Sequence, residues 1–153
     1  MKKAMDNNDI IKELCLAYGM ELETVQNYIA NSVHLDGVRS DVIKKALAAD
    51  VATEMMHAQT LAQRIKTIGG RVPGSLDNAR NQSYLQPPAD PTDVVSVIKG
   101  VIKAEEEAIA QYNKIIQMCE GRDYVTQDQV IGILAGEEDH RREFVGFLKE
   151  YTR

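Results

Sequence analysis

A chain of 153 residues is long enough for one domain over residues 1–153 with one sizeable core. Its 23 acidic and 18 basic residues leave a formal net charge of −5, and Lys2 and Lys3 are followed by Asp6 and Asp9, so nucleic acid is disfavoured as the main partner. No stretch approaches the ~18 consecutive apolar residues of a membrane span, and the start MKKAMDNNDIIKE lacks the apolar centre of an export signal, so Cys15 and Cys119 are expected as reduced thiols in a cytoplasm.

The apolar residues recur in helical steps throughout. The first helix is expected from about 8 to 35, ending near Asp36-Gly37. The second runs from about 40 to 68, with Ser40 as N-cap and Asp41 in the first turn, and stops at Gly69-Gly70 with Pro73 beyond. Its stripe is Ile43, Leu47, Val51, Ala58, Leu61, Ile65 and Ile68. The third runs from about 91 to 119 along Val94, Ile98, Val101, Ala108, Tyr112 and Ile115. The fourth runs from about 126 to 151 along Val130, Ile133, Phe144 and Phe147, and Thr126 with Gln129 has the spacing of a capping box.

Two of the three links are short, so they join antiparallel neighbours. The link from about 69 to 90 is long and rich in Gly, Pro, Asn and Ser. It has the length to cross the bundle, which makes the second and third helices parallel. That is an all-α, ferritin-like four-helix bundle with one long crossover.

Acidic residues interrupt these stripes on the apolar side. Glu21 falls between Tyr18 and Val25, Glu54 and His57 between Val51 and Leu61, Glu105 between Val101 and Ala108, and Glu137 and His140 between Ile133 and Phe144. A three-residue step keeps Glu54 with His57, and Glu137 with His140, on one face. Four buried carboxylates without compensation are severely destabilising. Two divalent cations balance four glutamates, with neutral imidazoles completing the shells. One Glu from each of two helices plus Glu-x-x-His from each of the other two is the di-iron carboxylate arrangement, and such ligands suit iron or manganese. A single Glu-x-x-His is ordinarily a solvated face, and the run Glu105-Glu106-Glu107 reads alone as exposed. The coincidence of all four at similar depth favours a metal site. His34, the third histidine, is expected at the surface.

The segments carrying these residues resemble those of the bacterioferritins and their Dps-like relatives over nearly the whole chain. The matching pieces are Gly19-Met20-Glu21-Leu22 with Gln26-Asn27-Tyr28, Glu54-Met55-Met56-His57-Ala58 with Arg64-Ile65, Gly70 and Pro73, and Asp123-Tyr124-Val125-Thr126 with Ile133-Leu134 and Glu137-Glu138-Asp139-His140. The resemblance implies a ferroxidase centre holding two iron ions per subunit. Glu21 and Glu105 would each bind mainly one metal, Glu54 and Glu137 would bridge, and His57 and His140 would cap. Glu105 is preferred over its neighbours because only it shares a stripe with Ala108 and Tyr112. Tyr28 resembles the family's tyrosine near the metals, with a redox or a packing role. Met55 matches the methionine that ligates haem in these relatives, or packs beside Met56.

Departures from the pattern bear on assembly. Only 13 residues follow His140, short of the segment that lines the four-fold axis of a twenty-four-subunit shell, which favours a twelve-subunit, Dps-like homo-oligomer. Where relatives carry an inner-surface iron site, this chain has Ala49 and Thr53 and keeps only Asp50. Some relatives carry a cysteine pair near the metals, whereas Cys15 and Cys119 fall toward one end, ~12 Å apart along the axis, as buried structural thiols. The function implied is iron storage and detoxification, with Fe(II) oxidised by O₂ or H₂O₂ and the product held in the shell. The alternative is a di-metal oxidoreductase without storage, of peroxidase or manganese catalase type. Rubrerythrin-type versions need a rubredoxin-like set of four cysteines where this chain has two, and DNA protection lacks a lysine-rich arm.

Overall fold

The computed structural model describes residues 7–153; Lys2, Lys3 and Asp6, on which the expectation of no basic arm partly rests, lie outside them. Among the described residues there are four long helices, α1 (Asn8–His34), α2 (Asp41–Thr67), α3 (Val94–Cys119) and α4 (Tyr124–Tyr151), two short 3₁₀ turns and no strand. The helices form an all-α four-helix bundle. No described helix is long and apolar enough to cross a membrane.

Side chains at the two ends fix the topology. At one end Arg122, just after α3, pairs with Asp9 in the first turn of α1 at 2.8 Å, and Arg64 near the end of α2 pairs with Asp123 just before α4 at 2.8 Å. At the other end the Asp36 N–H donates to the Pro91 carbonyl, and Arg39 donates to the carbonyl of Tyr151. The C-termini of α2 and α3 therefore share an end, and these helices run parallel. The crossover between them passes the length of the bundle.

Helix starts differ from the sequence reading. The Ser40 hydroxyl does not cap α2; it donates back to the Asp36 carbonyl at 2.6 Å, because Ser40 is already near helical geometry (φ −89, ψ −19). Helix α3 starts at Val94 behind an Asp93 cap that accepts from the Ser96 N–H at 3.2 Å. Helix α4 starts at Tyr124, and Thr126 and Gln129 form no capping box. Asp123 accepts from the Thr126 N–H at 3.0 Å, and the Thr126 hydroxyl donates to Asp123 at 2.5 Å. A carboxylate three residues ahead of that N–H is the stronger acceptor, so the cap moves forward.

The core divides into two apolar clusters. One holds Leu35, Ile43, Leu47, Ile98, Val101 and Phe144 toward the end where α2 and α3 begin. The other holds Ile10, Leu14, Leu61, Ile65, Ile115, Val130 and Ile133 toward the opposite end. Each fully buried Ile or Leu contributes roughly 1.5–3 kcal/mol. These layers offset a polar layer held between them.

The crossover lies in the groove between α1 and α3. Both carboxylate oxygens of buried Glu23 accept the N–H groups of Asn81 and Gln82 at 2.9–3.4 Å. The Asn31 amide donates to the Leu85 carbonyl at 2.9 Å. On α3, a Cβ at Gly100 would sit 2.4 Å from the Tyr84 carbonyl oxygen, so only glycine lets the loop approach this closely.

Candidate metal centre

The polar layer collects one glutamate from every helix. Glu21, Glu54, Glu105 and Glu137 are 3%, 1%, 1% and 1% exposed, so all four carboxyls are out of water. His57 and His140 close the layer on the α2–α4 side. These six residues offer two overlapping sets of ligand atoms, each set lying within 4.8 Å. The first set is Glu21, Glu54, His57 and Glu137, and the second is Glu54, Glu105, Glu137 and His140. Glu54 and Glu137 belong to both.

The register of the antiparallel helices decides who meets whom. Between α2 and α4, His57 Nδ1 lies 2.9 Å from Glu137 Oε1, and His140 Nδ1 lies 3.0 Å from Glu54 Oε1. Each imidazole thus faces the shared carboxylate of the opposite helix more closely than the one three residues away on its own, at 3.5 Å for His57 and Glu54 and 3.8 Å for His140 and Glu137. Between α1 and α3, Tyr28 donates its hydroxyl to Glu105 Oε1 at 2.5 Å, and Tyr112 donates to Glu21 Oε1. The site therefore has an approximate two-fold symmetry that exchanges the two hairpins.

Sequence reasoning treated Tyr112 as a packing residue. A signal for it exists in the sequence. Tyr112 follows Glu105 by the same seven-residue step with which Tyr28 follows Glu21. Glu-x₆-Tyr on α1 and α3 is matched by Glu-x₂-His on α2 and α4, and in antiparallel register each tyrosine reaches its counterpart's glutamate.

The electrostatics are those of a buried cluster of acids and bases. Burial, then the neighbouring Glu54 charge, pushes the Glu21 carboxyl up to about 8. Burial, and the hydrogen bond its acid form donates to Glu137, push Glu105 up to about 8 as well. Burial alone would lower His57, but hydrogen bonds to Glu137, Glu21 and Glu54 outweigh it and raise it to about 12. His140 is raised in the same way by Glu105, Glu137 and Glu54. Protons held on these groups offset part of the buried carboxylate charge.

Protons do not satisfy the site. Glu54 Oε1 and His140 Nδ1 face each other as an ion pair at 3.0 Å, while Glu21 Oε2 and Glu105 Oε2 are buried without a hydrogen-bond partner. Buried polar atoms left so are rare and costly, on the order of 1–3 kcal/mol each. Two orphan carboxylate oxygens, beside two further buried carboxylates and two imidazoles in overlapping sets, are a donor set that divalent cations fit. Hard carboxylate oxygens with imidazole nitrogen and no thiolate fit iron or manganese.

Other candidates lie elsewhere. Met55 is 40% exposed on the outside of α2 and takes no part in the cluster. His34 is exposed, with Nε2 2.7 Å from the Pro88 carbonyl. Asp50 belongs to this site's periphery: its Oδ1 is 3.4 Å from His140 Nε2, on the face of the ring opposite the cluster. Burial raises its carboxyl to about 6, with His140 opposing. A carboxylate behind a ligand-forming imidazole orients the ring. Both cysteines are free thiols; Cys119 is buried and Cys15 half-buried, and burial raises both above the ordinary thiol range.

Comparison with known proteins agrees with this fold. A family model described as a ferritin-like domain matches residues 11–153. A curated relative, the DNA protection during starvation protein of Pyrococcus furiosus, is 26% identical over 153 residues, covering 96% of this chain and 80% of that protein. Among solved structures, a dodecameric thioferritin, the bacterioferritin-related protein of Bacteroides fragilis, superposes with a TM-score of 0.84 at 26% identity, covering 98% of this chain and 90% of that one. A ferritin-like, diiron-carboxylate protein of Bacillus anthracis shares the fold, with a TM-score of 0.83 at 21% identity over 95% of this chain and 99% of that one. With its helices, its crossover and a family model spanning nearly its whole length, the chain belongs to the ferritin-like family.

Proposed function

We propose that this protein oxidises Fe(II) at an intra-subunit di-iron centre and retains the Fe(III) product inside a homo-oligomeric shell. The observation that carries the reading is the pair of overlapping ligand sets sharing Glu54 and Glu137. Fe(II) is the substrate. One ion would be held by Glu21 and His57 and the other by Glu105 and His140, with Glu54 and Glu137 common to both. Two Fe(II) so held supply the two electrons that convert O₂ to H₂O₂, or H₂O₂ to water. The residues of the chain do the rest. The four carboxylates neutralise the incoming charge and favour the harder Fe(III). Protons leaving His57, His140, Glu21 and Glu105 make room for the cations. Tyr28 and Tyr112 hold the two outer carboxylates in place.

The net charge of −5 suits collection of cations. A dodecameric neighbour supports a twelve-subunit shell over a twenty-four-subunit one. The exposed thioether of Met55 is the residue that would ligate haem, and a Soret band in purified protein that is lost in Met55→Leu would establish it. The rival reading, a di-metal peroxidase or manganese catalase without storage, uses the same six ligands. One experiment separates them. Fe(II) is added anaerobically, air is admitted, and iron per chain is counted after gel filtration. Retention far above about two ions per chain in a large particle supports storage; retention near two favours the rival.

A further inference from the structure

The two-fold symmetry of the metal layer fails behind the histidines. His140 meets carboxylates on both ring nitrogens: Nδ1 faces the cluster, and Nε2 lies 3.4 Å from Asp50 Oδ1. The carboxylates near His57 are Glu21, Glu54 and Glu137, and all three face its Nδ1. Its other edge lies along α4 at Gly136, where an added Cβ would stand 3.4 Å from both Cε1 and Nε2. The sequence carries the same difference. Asp50 stands one helical turn before Glu54 on α2, whereas the residue one turn before Glu137 on α4 is Ile133, buried in an apolar cluster. Asp50 is committed to His140. It makes no ion pair with any other described residue, its side chain is 14% exposed, and its Oδ2 is buried without a hydrogen-bond partner.

We infer that Asp50 is a positioning residue that makes the two metal positions unequal, so that the position formed by Glu105 and His140 fills first and holds its ion more tightly than the one formed by Glu21 and His57. The inference rests on the di-metal reading of the site. A metal bound at Nδ1 requires the other ring nitrogen to carry the proton. Asp50 is placed to accept that N–H from His140, which fixes the tautomer and the angle of the ring and makes Nδ1 a stronger donor. His57 has no carboxylate behind it, so its ring must select tautomer and orientation as the metal arrives. A partner of this kind is worth roughly 10–100-fold in metal affinity. The remaining ligands do not distinguish the positions. Glu54 and Glu137 are common to both, and each outer glutamate accepts a tyrosine hydroxyl.

The test uses the whole protein, without oxygen or iron, with histidine isotope-labelled at its ring nitrogens. Zn(II) is added to one ion per chain, and nitrogen NMR reports which imidazole is ligated, with exposed His34 as the internal reference. In the wild type Nδ1 of His140 should carry the metal-bound signal and Nδ1 of His57 should not. Asp50→Ala should divide the ion between the two rings. In a Co(II) titration followed by d–d absorption, it should weaken only the tighter of two binding steps, by roughly 10–100-fold. Asp50→Asn keeps an oxygen that can accept the N–H, so it should restore part of the preference for His140. A purely structural role for Asp50 would weaken both steps together and leave the ring preference unchanged. That result, equal signals from both rings in the wild type, or His57 ligated first would overturn the inference. The wild-type ring assignment decides even if Asp50→Ala does not fold. A wild-type protein that binds neither Zn(II) nor Co(II) in this layer would refute the di-metal reading itself, which is a different result from equal occupancy.

Discussion

Tyr28 on α1 donates its phenolic proton across the bundle to Glu105 on α3 at 2.5 Å, and Tyr112 on α3 returns the same bond to Glu21 on α1. Both tyrosines are fully buried beside carboxylates, which pushes each phenol well above its ordinary range and keeps it a donor. The two outer ligands are therefore held by equivalent partners.

That equivalence predicts paired effects. Tyr28→Phe and Tyr112→Phe should each weaken Co(II) binding by roughly 10–100-fold, as loss of a partner behind a metal ligand does. Each should act on one position of the pair and leave the other near its wild-type affinity. Equilibrium titration of both variants checks this.

The shared and outer carboxylates should behave differently. Glu54 enters both ligand sets and Glu21 only one. Glu54→Ala should abolish fast Fe(II) oxidation, whereas Glu21→Ala should still bind about one metal ion per chain. Both variants should stay folded, since each deletes a buried carboxyl along with its desolvation cost. Circular dichroism and metal titration report the two properties separately.

The metal-free protein should lose stability as pH rises. Glu21 and Glu105 hold protons up to about 8 when folded, but release them near 4.5 when unfolded. His57, raised from 6.5 to about 12, contributes stability that is fully present below 6.5 and is lost as pH climbs toward 12. The folded state binds more protons than the unfolded one across this window, so both effects have the same sign. Melting with a chelator should show a falling Tm between about pH 5 and 9. Saturating Co(II) should flatten that fall, because the metal replaces the protons.

The crossover should respond to its close approach at α3. Gly100→Ala puts a Cβ 2.4 Å from the Tyr84 carbonyl oxygen, and backbone rather than a flexible side chain must yield. A cost of about 1–3 kcal/mol is expected in a denaturant titration. Faster amide exchange at Asn81 and Gln82, whose N–H groups are held by Glu23, would locate the damage.

The fold was legible because the periodicity of four amphipathic helices and one long link leaves little choice of topology. The helix starts were not: Asp93 and Asp123 accept from the Ser96 and Thr126 N–H groups and so set the caps at other residues than the hydroxyls the pattern suggests, and the Ser40 hydroxyl turns back to the Asp36 carbonyl. Glu21, Glu54, His57, Glu105, Glu137 and His140 stood out as charges on apolar stripes, and the structure brings them into one layer. The residues behind them were harder to read. Tyr112 passes for packing until the antiparallel register puts it opposite Glu21. Asp50 is placed behind His140 only by the crossing of α2 and α4. Glu23 looks like one more helical glutamate, and its role depends on a crossover whose path the sequence does not specify.

The most direct test is anomalous diffraction from crystals soaked anaerobically in Fe(II). Two peaks in the layer between the apolar clusters, both bounded by Glu54 and Glu137, with Glu21 and His57 at one and Glu105 and His140 at the other, are the expected result. A single peak, or iron only at surface carboxylates with the four buried glutamates unliganded, would contradict the account.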